Sequence, residues 1–151
     1  MNAILIQEHF AAYPFGAPCS DDDLAEAERR LSQSLPPDLR ILYRHFNGFI
    51  GPTHAAFLYP LLHKLSELGT SLVEFNFFLR GQDYCPDFVQ ECIFYGDNGC
   101  GPSWGLLPKE PGKVIVWDAE WGKDYEIAGH DIFEVWLAEE KLYNELDAEK
   151  A

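Results

Sequence analysis

Along the chain the apolar residues change their spacing twice. Between residues 20 and 48 they recur at intervals of three and four. Leu24, Ala27, Leu31 and Leu35 mark one face, and Leu39, Leu42, Tyr43 and Phe46 mark a second, the spacing that lines one side of a helix. Ser20 stands directly before Asp21, Asp22 and Asp23, a hydroxyl able to accept a first-turn N–H with acids at the positive end of the helix dipole. Leu35-Pro36-Pro37 stops the first helix, and Pro37 opens the second at a position where a missing N–H is no loss. Asn47-Gly48 supplies the left-handed conformation on which helices commonly end. Two short helices therefore open the fold.

From Phe49 to Glu91 the periodicity is mixed: Ala56-Phe-Leu-Tyr59 reads as an edge strand ended by Pro60, and Leu62 to Phe78 carries a mixed helical pattern. After Cys92 the pattern becomes short apolar runs between turn residues. Cys92-Ile-Phe-Tyr95, Trp104-Gly-Leu-Leu107, Val114-Ile-Val-Trp117 and Tyr125-Glu-Ile-Ala128 read as strands, with Gly96-Asp-Asn-Gly99 and Pro111-Gly112 as turns, which makes an antiparallel meander. Asp131 followed by Glu134 predicts a capping box opening a last helix, with Phe133, Trp136, Leu137 and Tyr143 turned inward. Helix, helix, strands, helix in one chain is an α+β order, mainly an antiparallel sheet with helices packed on it. We expect a single domain over residues 1–151, its core at about 21–146 and its polar end frayed.

Composition narrows the function. At 151 residues with 47% hydrophobic content the chain buries a core without staples, and 11 basic against 25 acidic side chains give a formal charge of −14. That charge repels a phosphate backbone and attracts a basic protein, so nucleic acid is excluded as a direct partner. The first residues, Met1 to Glu8, hold neither a basic flank nor an apolar run of signal-peptide length, and no stretch reaches the length of a membrane span. We expect a cytoplasmic protein whose Cys19, Cys85, Cys92 and Cys100 are reduced thiols.

Leu35-Pro-Pro-Asp-Leu39, Tyr43 and Asn47-Gly48, followed by Phe94-Tyr-Gly-Asp-Asn-Gly99, Gly101, Val114-Ile-Val-Trp-Asp118 and Phe133, together resemble the SUKH superfamily, the group of the Smi-Knr cell-wall regulators. The resemblance runs from about Asp21 to Leu146 and rests on the order and spacing of the motifs. It implies an α+β fold, no catalysis, and for bacterial members a role as immunity proteins that neutralise toxins, often nucleases. The fungal relatives imply the alternative, a regulatory scaffold that binds a cellular protein.

Chemical readings of the same residues are weaker. Gly96 to Gly101 lacks the lysine of a phosphate loop and the spaced ligands and closing Glu of a calcium loop, so it reads as a turn. The cysteines and His54, His63 or His130 contain no close Cys-x-x-Cys knuckle for zinc, and no histidine can be placed beside a thiol as the base of a cysteine nucleophile. Asp118, Glu120, Asp124 and Glu126, interleaved with Trp117, Trp121 and Tyr125, offer carboxylates to a glycan, but solvated turn acids around a core Trp117 are the simpler reading, and a hydrolase is the residual one. No catalytic residue, cofactor or metal is expected. In the third reading Trp121 and Tyr125 anchor a partner amid acids. The candidate partner-binding patch is Asp97, Asn98, Asp118, Glu120, Trp121, Asp124 and Glu126, facing a basic toxin domain such as a nuclease.

Overall fold

The computed structural model describes residues 1–62 and 69–150. Its first element is a helix the apolar pattern above did not announce: α1, Ala3–His9, capped by Asn2, whose side-chain oxygen accepts the N–H groups of Ile4 and Leu5. Ala3, Ile6 and Phe10 are buried while Ile4 and Leu5 stay exposed, so the helix is held by one narrow face. The two expected helices follow as α2, Asp21–Leu31, and α3, Pro37–His45. Ser20 and Asp23 form a reciprocal box, each side chain accepting the other's N–H at 3.0–3.1 Å. Asn47 contributes its side chain as well as its turn, accepting the N–H of Leu61 at 2.7 Å.

The chain then makes a two-stranded antiparallel sheet, β1 (Phe49–Ile50) with β2 (Ala56–Leu58). The expected strand at Ala56 is present, but it is interior: all three residues are buried, and the next, Tyr59, donates its N–H to Tyr95 O at 2.8 Å. The pattern read over Leu62 to Phe78 falls in part on residues 63–68, outside the described residues; the rest forms α4, Leu72–Arg80. A short 3₁₀ turn, Asp87–Gln90, leads into the four-stranded antiparallel meander β3 (Ile93–Asp97), β4 (Ser103–Leu106), β5 (Val114–Trp117) and β6 (Glu126–Gly129). Helix α5, Ile132–Glu149, closes the fold. The architecture is α+β, with α1 and β1 left unread by sequence spacing and α4 read only as a mixed helical pattern.

From β3 to β5 the meander is covered on both faces, which explains the apolar runs there, whereas β6 is an exposed to half-buried edge. Ile93, Tyr95, Trp104 and Val114 join the main core with α1 to α3, the small sheet and Trp136 of α5. Phe94, Ile115 and Trp117 turn the other way onto Leu79, Phe88, Val89 and Leu107. The outer edge of β3 is also closed. Buried Asn76 of α4 donates to Phe94 O at 2.8 Å and accepts the Phe94 N–H at 2.9 Å, so one amide imitates a neighbouring strand and satisfies both backbone groups of Phe94.

Three expectations are corrected in detail. Gly96 and Asp97 are strand residues paired with Trp104 and Ser103, so the turn starts later. Gly96 is required by crowding: a Cβ there would lie 2.0 Å from the backbone oxygen of Phe57, where the small sheet crosses the meander. At α5 the box is shifted. Asp131 accepts the Glu134 N–H at 2.7 Å, whereas the Glu134 carboxylate takes the N–H of His130. On α5 the fully buried residues are Ile132, Val135 and Trp136, while Phe133, Leu137 and Tyr143 are only half-buried.

Candidate functional site

The antiparallel connections place two loops at one end of the meander. Asp97 pairs with Ser103, and Ser103 with Trp117, so the loop after β3 and the loop after β5 leave side by side. Asp97 closes β3 and Asn98 stands on the first loop, Asp118, Glu120, Trp121 and Asp124 stand on the second, and Glu126 opens β6. The loops touch at Gly101, where an added Cβ would come within 2.8 Å of Asp118 Oδ2.

The seven patch residues divide into two groups. Asp97 accepts from the Tyr59 hydroxyl at 2.5 Å and from the Gly99 N–H at 2.7 Å. The Tyr59 phenol is pushed well above its ordinary value, first by burial and then by the charge of Asp97. Asn98 accepts the Cys100 N–H at 2.9 Å and donates to Glu139 of α5 at 2.8 Å. Asp118 accepts the Glu120 N–H at 2.9 Å, and Trp117, buried, donates its indole N–H to Gly122 O at 2.9 Å. These groups hold the loops in shape. Glu120, Asp124 and Glu126 make no side-chain hydrogen bond or ion pair among the described residues, and the indole of Trp121 is 37% exposed. Lys123 lies in the same loop and offsets one of these charges.

Tyr125 is half-buried and already partnered. Its ring packs edge-on against Phe88 at 4.9 Å, and its hydroxyl donates to Glu110 at 2.8 Å. The other acidic runs are likewise engaged, Asp21 facing Arg44 at 3.3 Å and Glu140 facing His9 at 2.6 Å. Among the described residues no group of three or more His, Cys, Asp or Glu side chains is placed to hold a metal ion. All four cysteines are free thiols: Cys19 and Cys92 are buried, Cys85 is half-buried and Cys100 exposed. Burial, with the charge of Asp23 behind it, pushes the Cys19 thiol up to about 12, and burial raises Cys92 and Cys85 as well. Raised thiols are the reverse of an activated nucleophile.

A family model described as SMI1 / KNR4 family (SUKH-1) matches residues 18–139. The chain belongs to this family. A search of the curated proteins finds no match to it. The SUKH-1 match begins beside the cap of α2 and ends inside α5, so it takes in both loops of the patch and leaves α1 outside. The motifs at Leu35-Pro-Pro, Asn47-Gly48 and Val114-Ile-Val-Trp-Asp118 lie within it. At the level of the SUKH-1 family, this supports a protein-binding module of the immunity type, in a family generally without enzymatic activity. No described helix is long and apolar enough to cross a membrane.

Sequence spacing did not find the concave feature at the opposite end of the meander. There a groove of about 520 Å³ opens between the α2–α3 connection, the β4–β5 hairpin and the start of α5. Its prolines, Pro36, Pro37, Pro108 and Pro111, were legible only as helix stops and turn formers. Three segments far apart in sequence must meet before they become walls.

Proposed function

We propose that this SUKH-1 protein is an immunity protein, a non-enzymatic cytoplasmic module that binds a cognate toxin and covers its basic working face. The observation that carries the reading is the division within the acidic patch. Asp97, Asn98 and Asp118 fix two loops through hydrogen bonds of 2.5–2.9 Å, while Glu120, Asp124, Glu126 and the half-exposed Trp121 remain available on the outside. A preformed surface of this kind avoids the ordering penalty of binding, and its charge accelerates encounter with a basic domain such as a nuclease. Family membership and the net charge of −14 support the same partner chemistry.

The test is a growth assay in which the product of the adjacent gene is expressed with and without this protein, followed by co-purification. Rescue with a stable complex is the expected result. A double variant, Glu120→Ala with Trp121→Ala, leaves Asp118 to hold its turn and weakens the complex about tenfold or more. Failed rescue, or a harmless neighbour, transfers the reading to a regulatory scaffold that binds a cellular protein.

A further inference from the structure

The groove at the far end of the meander has the shape and chemistry of a receptor for side chains. Its volume of about 520 Å³ lies within the range of small-ligand pockets and exceeds any one side chain. Its walls are mostly apolar, with Leu35 and Leu107 buried beneath and Leu106 half-buried at the surface. Pro36, Pro37, Pro108 and Pro111 carry no backbone N–H, so these walls offer little to an oxyanion or to a strand seeking a ladder partner. Proline also fixes backbone shape before any ligand arrives, which lowers the entropic penalty of contact.

Charge at the rim selects further. Asp38, Glu110 and Asp131 are its acids and Lys113 is its basic side chain, already set against Glu110 at 3.7 Å. His130 also lines the groove, with its ring set against Glu134, which lies outside the lining, at 3.3 Å. Asp38 makes no side-chain hydrogen bond or ion pair among the described residues. The occupant that satisfies such a site is apolar at its centre and positive at its edge.

We infer that the groove between the Leu35-Pro36-Pro37 connection and the β4–β5 hairpin is a second recognition site, which takes a short protein segment with an aromatic or branched aliphatic anchor beside a lysine or arginine. The inference rests on the reading of the chain as a protein-binding module, but on no particular partner. It gives such a partner two points of attachment, one at each end of the meander, and fixes its orientation.

The test is a random heptapeptide library displayed on phage and selected against the full-length protein, followed by titration of the enriched peptide. Enriched sequences are expected to carry an aromatic or branched aliphatic residue within two positions of Lys or Arg. Titration should move the amide resonances of Leu35, Leu107 and Ile132 and leave those of residues 118–126 in place. Ser34→Trp, which fills the mouth from an exposed position, should weaken the peptide about tenfold, and Asp38→Lys should do the same through charge. Mapping on the unaltered protein stands even where a variant folds poorly. No enrichment, resonance shifts confined to the loop end, or equal binding to a folded Ser34→Trp protein overturns the groove as a site. Enrichment of acidic peptides overturns its charge preference. No toxin enters this experiment, so a failed growth rescue leaves the groove standing and a failed selection leaves the immunity reading standing.

Discussion

The two ends of the meander are built from similar connections and do opposite things with them. At the loop end, polar side chains turn back on their own backbone: Asp97, Asn98 and Asp118 each accept an N–H two residues further on. The result is an acidic surface whose backbone is fixed while Glu120, Asp124 and Glu126 stay unengaged among the described residues. At the groove end, Pro108, Pro111 and Gly112 shape a hairpin whose side-chain polar contacts centre on Glu110 and which leaves apolar surface uncovered between three segments. Rigidity therefore arises from hydrogen bonds at one end and from proline at the other. One surface suits long-range attraction, and the other suits close packing.

The sharpest way to break this comparison is a methyl group at each end. Gly96→Ala drives a Cβ to 2.0 Å from the Phe57 backbone oxygen, and neither partner can rotate away, so denaturant unfolding should show a loss of about 3 kcal/mol or more. Gly112→Ala meets nothing within 4 Å, and its φ of +70° is the only obstacle; the expected loss is about 1 kcal/mol. Equal losses would mean that the loop end is not the more tightly determined of the two.

A smaller contrast lies in the acids. Asp97→Ala removes the acceptor of the Tyr59 hydroxyl and of the Gly99 N–H, and leaving a largely buried phenol unpaired costs about 2 kcal/mol. Asp38→Ala, whose carboxylate is unengaged among the described residues, should change stability by less than about 0.5 kcal/mol. Thermal or denaturant melts of the two variants under one condition make the comparison. Should Asp38→Ala prove the costlier, the groove rim carries structural weight that its geometry does not show.

These contrasts also mark what the sequence could tell. Ser20 with Asp23, Pro37, and the run Val114–Trp117 sit where local spacing puts them, because caps and alternating burial act between neighbours. Helix α1 had a readable signal, Asn2 ahead of Ala3, Ile6 and Phe10 at helical spacing, yet too short a face to stand out. Asn76 gave none, since its function depends on Phe94, eighteen residues away. The acidic patch was visible as composition. Which of its members are engaged by backbone, and that Tyr125 turns inward to Glu110, depend on loops meeting across the sheet. The groove was least legible of all, for its parts carry meaning only together.

Thiol chemistry gives a gentler probe of the loop end. Cys100 stands exposed between Gly99 and Gly101, whereas Cys19 and Cys92 are buried with raised thiols. At pH 8 an aromatic disulfide reagent should titrate Cys100 rapidly, Cys85 more slowly, and the other two only on unfolding. Fast reaction of two or more thiols in the native protein would show that burial around Cys19 or Cys92 opens readily.

The smallest effect concerns the groove end, where Glu134 fastens the start of α5. The N–H of His130 is the main cause holding the Glu134 carboxyl below its ordinary value of 4.5, with the His130 ring nearby. A carboxyl lowered on folding stabilises the native state at pH values above its unfolded value, and that contribution fades as the pH falls through the lowered native value. Glu134→Gln should therefore melt slightly below the parent protein at pH 7, with the two melting temperatures converging under acid conditions. The side chain is exposed, so the gap at pH 7 is small. A gap that persists undiminished under acid would show that Glu134 acts by shape at the helix start, beside the Asp131 cap and the packing of Ile132, and not through its charge.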